Sequence, residues 1–362
     1  YSPLRGLTRS TLEEEAILFP VADPVMYLPG YSPLGLAGPG FQGASYYTAP
    51  NPPFGAVFTY YLKEGLETRK AARQKAEKEA LEAKEEISIP AWEALREEAR
   101  EKGPLVLLTV SDEAGQVVRR VTGPATAGFH RVAWDLRYPP AMPVDLAPRE
   151  RGLFDDPPGG PPVAPGTYTV SLARVVDDRV TPLGEARSFT ARPLGAATLP
   201  AADRAAMAAF QRRTAELQRA VMGAVRAADE AQVRIDHLRQ AVLDTPGADY
   251  ALIAELSAAE ERLKDLQVEL EGDPVVERYN EPTPPSIVGR MFRVVFGHWG
   301  STSGPTETQR SSFQAASDAF AAVLGELRTL VETDLAGIEA RLEASGAPWT
   351  PGRVPVWTPP DA

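Results

Sequence analysis

A chain of 362 residues with 43% hydrophobic content is long enough to bury a sizeable core and to divide into two or three domains. Its formal net charge of −11 disfavours nucleic acid, because phosphate binding takes a concentrated basic patch and here Arg and Lys are interleaved with Glu and Asp. Disulfides, thiolate metal sites and cysteine nucleophiles are excluded by the absence of Cys, which is compatible with an envelope protein and with a cytosolic one.

The sequence starts at Tyr1 with no Met, basic segment or apolar segment, as in a processed chain or a fragment. Ser10 or Thr11 is expected to cap a short helix through Glu13, Glu14 and Glu15, whose carboxylates suit a helix N-terminus, and Phe19-Pro20 should end it. Residues 24–62 carry no charged side chain, but Pro24, Pro29, Pro33, Pro39, Pro50, Pro52 and Pro53 forbid a continuous spanning helix. Residues 1–54 read instead as an extended Pro/Gly/Tyr-rich wrapping segment. Its aromatics Tyr27, Tyr31, Phe41, Tyr46, Tyr47 and Phe54 are candidates for a partner-binding surface, since such rings are favoured at interface centres. Their competing role is to staple the loop onto its own domain.

Residues 55–62 are β-branched or aromatic and read as a buried strand. Residues 63–86 are rich in Lys, Arg, Glu and Ala and predict an exposed charged helix with Lys75 and Glu79 paired at i,i+4. A second helix is expected from Pro90 through Trp92, Leu95 and Ala99, closed by Gly103-Pro104. Strand-like runs follow at 106–110, 116–121, 129–136, 167–176 and 186–191, with turn signals at 112–115, 123–128, Pro165-Gly166 and Asp177-Asp178. Residues 55–192 are therefore expected to form an antiparallel β-sandwich of immunoglobulin or fibronectin type with charged helices inserted at 63–102. A Pro/Gly insertion at 138–165 is too long for a hairpin.

Beyond a linker at 193–200, residues 201–243 carry a heptad seam through Met207, Phe210, Thr214, Leu217, Val221, Ala224, Ala228, Ala231, Ile235, Leu238 and Val242. Residues 249–271 repeat the spacing with Leu252, Leu256, Ala259, Leu263, Leu266 and Leu270, so the two should form an antiparallel hairpin. Ser286 is placed to cap a short helix through Ile287, Met291, Phe292 and Val295, and 306–342 reads as a third long rod. The predicted class is thus α+β and multidomain, with the sandwich followed by an antiparallel helical bundle over 201–345 and long Pro-rich loops. The tail at 346–362 is too apolar for a plain linker and is expected to lie on a surface, which adds Val354 and Trp357 to the partner-binding candidates.

Five stretches resemble, in order, the C-terminal region of large bacterial proteins with sortilin-like, BNR-repeat propellers, often labelled glycosyl hydrolases. They are TAPNPPFGAVFTYYL at 48–62, GFHRVAWDLR at 128–137, APGTYTV at 164–170, PSI at 285–287 and PGR at 351–353. The propeller's Asp-box is not found, and Ser111-Asp112-Glu113-Ala114-Gly115 reads better as a hairpin turn. A propeller's chemistry therefore cannot be carried onto these residues.

Reactive side chains are sparse. His130, His237 and His298 fall on a strand, a helix and a turn, without a second ligand at i+3 or i+4. Asp135, Asp155 and Asp156 are the nameable carboxylates for a glycosidase, but Asp135 beside Trp134 reads as a fold element. Neither a phosphate loop nor a serine nucleophile elbow is present. No catalytic, cofactor or metal residue is assigned. The expected role is a non-catalytic, membrane-extrinsic scaffold or assembly subunit in the bacterial envelope, periplasmic or at the cell surface, binding protein partners in a larger complex such as a photosynthetic or respiratory one. The alternative is a carbohydrate-associated accessory module of a hydrolase.

Overall fold

The computed structural model describes residues 2–29, 51–87, 89–147, 159–195 and 199–359. The chain divides into two compact units, one of Tyr1–Pro139 with Arg151–Thr198, the other of Pro140–Glu150 with Leu199–Ala362. The described residues form a mixed α and β protein with two sheets.

In the first unit the strands are β1 (Ala16–Leu18), β2 (Val25–Met26), β3 (Ala56–Leu62), β4 (Leu105–Ser111), β5 (Val117–Gly123), β6 (Gly128–Trp134), β7 (Gly166–Val176) and β8 (Arg179–Pro193). They form a three-stranded sheet in the order β1-β3-β6 and a five-stranded sheet in the order β2-β8-β7-β4-β5. Alternation does the sorting: along β4, Val106, Leu108 and Val110 are buried and their neighbours are not. Both sheets supply one core. Trp134 and Phe58 from the first meet Tyr168 and Phe189 from the second, with ring centroids 5.5 Å apart for Trp134–Tyr168 and 5.8 Å for Phe58–Phe189.

Two differences from the sequence reading lie near the N-terminus. The short helix expected after Ser10 is only a 3-10 turn at Thr11–Glu13, and β1 follows it, pairing Ala16 with Leu62 and Leu18 with Tyr60. Glu13 and Glu15 do not serve a helix dipole; they pair with Lys63 and Arg174. The described part of the expected wrapping segment thus contributes strands to both sheets, because burying Ala16 and Leu18 beside β3 outweighs one turn of helix.

The strand expected at 186–191 runs in fact from Arg179. Asp177 and Asp178 both take left-handed φ, +49° and +60°, so a two-residue turn reverses the chain at once. A register shift opposite Val170 and Leu172 absorbs Gly184, whose φ is +62°. Strand β6 stops at Trp134, two residues short of expectation, because Leu136 has a φ of +58°. At the β4–β5 turn, Asp112 Oδ1 accepts from the N–H groups of Ala114 and Gln116, as the hairpin reading of that motif requires. Helices α1 (Arg69–Ala83) and α2 (Trp92–Arg100) bury none of their own residues; Arg73 joins them through Glu98 at 2.7 Å. Lys75 reaches Glu67, not the expected Glu79.

Tyr168, near the start of β7, donates from its hydroxyl to the carbonyl of Ala164 at 2.5 Å and packs edge-on against Trp134. Burial holds its phenol above the usual tyrosine range. Replacing Tyr168 by Phe leaves the ring and orphans that carbonyl, so a loss of about 1–2 kcal/mol is expected in urea unfolding at unchanged slope. A neutral result would mean that the hydrogen bond contributes nothing beyond the ring's packing.

The second unit contains α3 (Arg204–Leu243), α4 (Ala251–Glu271), α5 (Pro274–Arg278), α6 (Ile287–Trp299), α7 (Glu307–Thr329) and α8 (Leu335–Ala344). Side-chain caps mark the starts: Asp203 accepts from Ala206 N, Ser286 from Gly289 N, and Thr306 with Gln309 forms a reciprocal capping box. The seams of α3 and α4 are buried with only Met207 and Leu217 partly open, and from Leu217 onward they share one core with Met291, Phe320, Leu327, Leu335 and Leu342. The predicted third rod is α7 and α8 joined by a π-helical turn at Leu330–Asp334. From 140–150, Met142 accepts through its sulfur from Gln218 Nε2 at 3.5 Å.

Candidate partner-binding surfaces

Prolines at 351, 355 and 359 withhold backbone donors and fix φ, so the chain after α8 joins neither helix nor sheet among the described residues. Helix α8 closes at Gly346, whose φ is +76°, and Ala347 packs on the helical core. Six residues on, Arg353 is fastened. Its Nε donates to Glu343 at 2.5 Å and its Nη1 to Glu339 at 3.3 Å. Glu339 is only 3% exposed and also takes two hydrogen bonds from Arg234, at 2.5 and 2.7 Å. Arg234 donates in addition to the carbonyl of Val331 at 3.0 Å, inside the π-helical turn, where the helical ladder is interrupted.

Past this clasp the side chains turn outward: Val354 is 83% exposed, Val356 84% and Trp357 79%. The expectation that the tail lies down on a surface is not met by Val354, Val356 and Trp357; nearer the helix, Ala347 packs on the core and Arg353 is tied. A valine-proline-valine-tryptophan run held in water at a fixed point of origin is a feature that folding alone does not account for.

In the other unit Tyr27 is 46% exposed and meets the half-buried Phe54 edge-on, with ring centroids 4.9 Å apart. Phe54 packs on the sheet core, so these two rings act as the staple weighed in the sequence reading. Tyr31, Phe41, Tyr46 and Tyr47, with Asp155 and Asp156, lie outside the described residues. Asp135 accepts from Arg137 N at 3.2 Å, which is a turn-forming role.

The histidines are placed as follows. His130 Nε2 lies 2.6 Å from the carbonyl of Thr126 and its ring against Tyr60. His237 Nδ1 lies 2.8 Å from the carbonyl of Val233 on an exposed face. His298, expected at a turn, ends α6 and is only 1% exposed, edge-on to Phe210 at 5.3 Å. Both of its ring nitrogens lack a hydrogen-bond partner among the described residues, as do Gln218 Oε1 and Trp299 Nε1. Burial holds the His298 pKa below its ordinary value; the nearby Ser303 backbone opposes this in part, and the Arg310 cation pushes the same way as burial.

The folded state therefore disfavours the His298 proton, whereas the unfolded chain takes it up at an ordinary pKa of about 6.5. Its contribution to stability is full above that value and falls as pH drops through it, levelling only below the folded pKa. His298→Leu is expected to flatten thermal stability between about pH 7 and pH 5. An unchanged slope would remove His298 as its source.

Among the described residues no group of three or more His, Asp or Glu could hold a metal ion, and no helix is long and apolar enough to cross a membrane. Comparison with family models, with curated proteins and with solved structures gave no match to this chain. Sequence reasoning found the tail's apolar residues but missed the clasp. Arg353 was legible only as part of a short motif, and its partners sit on a helix face that reads as ordinary surface charge.

Proposed function

We propose that this chain is a non-catalytic scaffold subunit, membrane-extrinsic in the bacterial envelope, whose C-terminal tail inserts into a protein partner of a larger complex. The observation that carries this reading is the tail: apolar side chains at Val354, Val356 and Trp357 stand in water immediately after an arginine fixed by two carboxylates. Anchoring the origin reduces the conformational freedom lost when the tail docks, and an exposed Trp between prolines suits recognition of an extended, pre-stiffened peptide. A photosynthetic or respiratory membrane complex is one candidate host.

For the first unit we propose the immunoglobulin or fibronectin class. Supporting it are the strand order of the two sheets, the Trp134 indole in their shared core, and a tyrosine whose hydroxyl ties back to the backbone at a strand entrance. That fold hosts many functions, so it supports a binding framework and not a particular ligand.

The test uses the full chain in extracts of the cells that make it. On native gels it is expected to migrate with a larger assembly. Changing Val354, Val356 and Trp357 together to Ser should move it to the position of free chain while the melting temperature stays within about 2 °C, as befits exposed side chains. Free migration of the unaltered chain, or an assembly indifferent to the triple change, overturns the proposal.

A further inference from the structure

We propose that the helical unit carries a second, separate binding site: a pocket for a small organic monocarboxylate, built where the first turns of α3 meet the start of α7. The pocket has a volume of about 410 Å³, at the small end of the range for ligand clefts. Its apolar wall is made by Ala206, Met207 and Ala209. Arg213 and Arg310 line the same space.

Phenyl rings set these two arginines apart from the other unpaired arginines among the described residues. Acidic residues outnumber basic ones by 49 to 38. Even so, neither guanidinium forms an ion pair or a hydrogen bond among the described residues. They are held by rings instead. The carbon of Arg213 lies 5.9 Å from the centroids of both Phe210 and Phe313, and that of Arg310 lies 5.9 Å from Phe210. A guanidinium beside a ring keeps its N–H donors free, and those donors can form forked hydrogen bonds to a carboxylate.

Phe210 is itself wedged by His298 and Phe313, so the platform under both cations is fixed by buried packing. The one anion in the lining, Asp203, is engaged as the α3 cap, its Oδ1 accepting from Ala206 N at 2.9 Å. Two cations and one carboxylate leave a single positive charge, which one negative charge balances; a phosphate dianion would leave the pocket over-compensated. The alanine and methionine wall then receives a short alkyl or aryl body.

Titration calorimetry of the full chain tests this with three probes: hexanoate, its neutral counterpart hexanamide, and inorganic phosphate. Hexanoate is expected to bind saturably, and hexanamide at least about tenfold more weakly, the loss that accompanies one charge-assisted hydrogen bond. Phosphate should bind less well than hexanoate. Changing Arg213 and Arg310 together to Gln should abolish hexanoate binding. The Lys pair keeps charge without the fork and should retain part of it, and Ala209→Leu should weaken it by filling the wall. Absence of saturable hexanoate binding, equal affinity for hexanamide, tighter binding of phosphate, or indifference to both arginine pairs overturns the assignment. The tail is left untouched throughout, so this result stands apart from the assembly test.

Discussion

Gly55→Ala is expected to lower the melting temperature by about 10 °C. Gly55 precedes β3 with a φ of +98°, and a Cβ built there would lie 1.9 Å from the carbonyl oxygen of Trp134 and 2.9 Å from its carbon. Those are backbone atoms at the paired end of β6, where Ala56 faces Trp134, so no side-chain rotation relieves the contact. Moving them shifts an indole that packs on Tyr168 and Phe189 and donates from Nε1 to the carbonyl of Arg137. Left-handed strain costs roughly 1–3 kcal/mol and forced overpacking a similar amount. Gly115 is the matched control: its φ is +76°, but nothing stands within 4 Å of the added methyl. Gly115→Ala should cost only about 1–2 kcal/mol. Equal melting shifts for the two would mean that the Trp134 contact plays no part.

The second large effect concerns Glu339. Replacing it by Gln is expected to cost about 3 kcal/mol in denaturant unfolding, because Arg234 and Arg353 lose the carboxylate they share and Arg234 remains three-quarters buried without a counter-charge. Glu343→Gln, which breaks only a more open contact with Arg353, should cost under about 1 kcal/mol. Arg234→Met combined with Glu339→Leu removes both buried charges and should recover most of the loss. If the double change is as damaging as Glu339→Gln alone, the cost comes from packing around α8 and not from an orphaned charge.

Where the architecture was legible, it was legible through periodicity. The leucines from Leu252 to Leu270 and the seam from Phe210 to Val242 state a helix pair in one dimension, because burial on a helix repeats every three or four residues. The alternation in β4 does the same for a strand. What escaped depends on partners remote in sequence. Strand β1 is too short to carry a pattern and exists because β3 offers it an edge. The first half of β8 hides behind Pro182 and Gly184, which argue locally against a strand; the β7 ladder and a bulge accommodate both.

The candidate sites divide in the same way. Trp357 and Val354 stood out by composition, as apolar residues in a proline-rich tail. Their clasp did not, since Arg234 and Glu339 are 105 positions apart. His298 sits before Gly300 in a run that reads as a turn, so its burial against Phe210 has no local signature. Arg213 reads as one charge of a wetted helix face, and only the approach of Arg310 and two phenyl rings sets it apart.

The excursion of residues 140–150 into the helical unit ties the two halves of the gene product together. The polypeptide passes between the units three times, after Pro139, after Glu150 and after Thr198. A single recombination breakpoint or protease cut at 198/199 therefore does not yield two whole modules: a piece starting at Leu199 would leave Gln218 without Met142, and the upstream piece would carry an orphaned strip. Separating the units without that loss takes cuts on both sides of the strip as well as the one at 198/199.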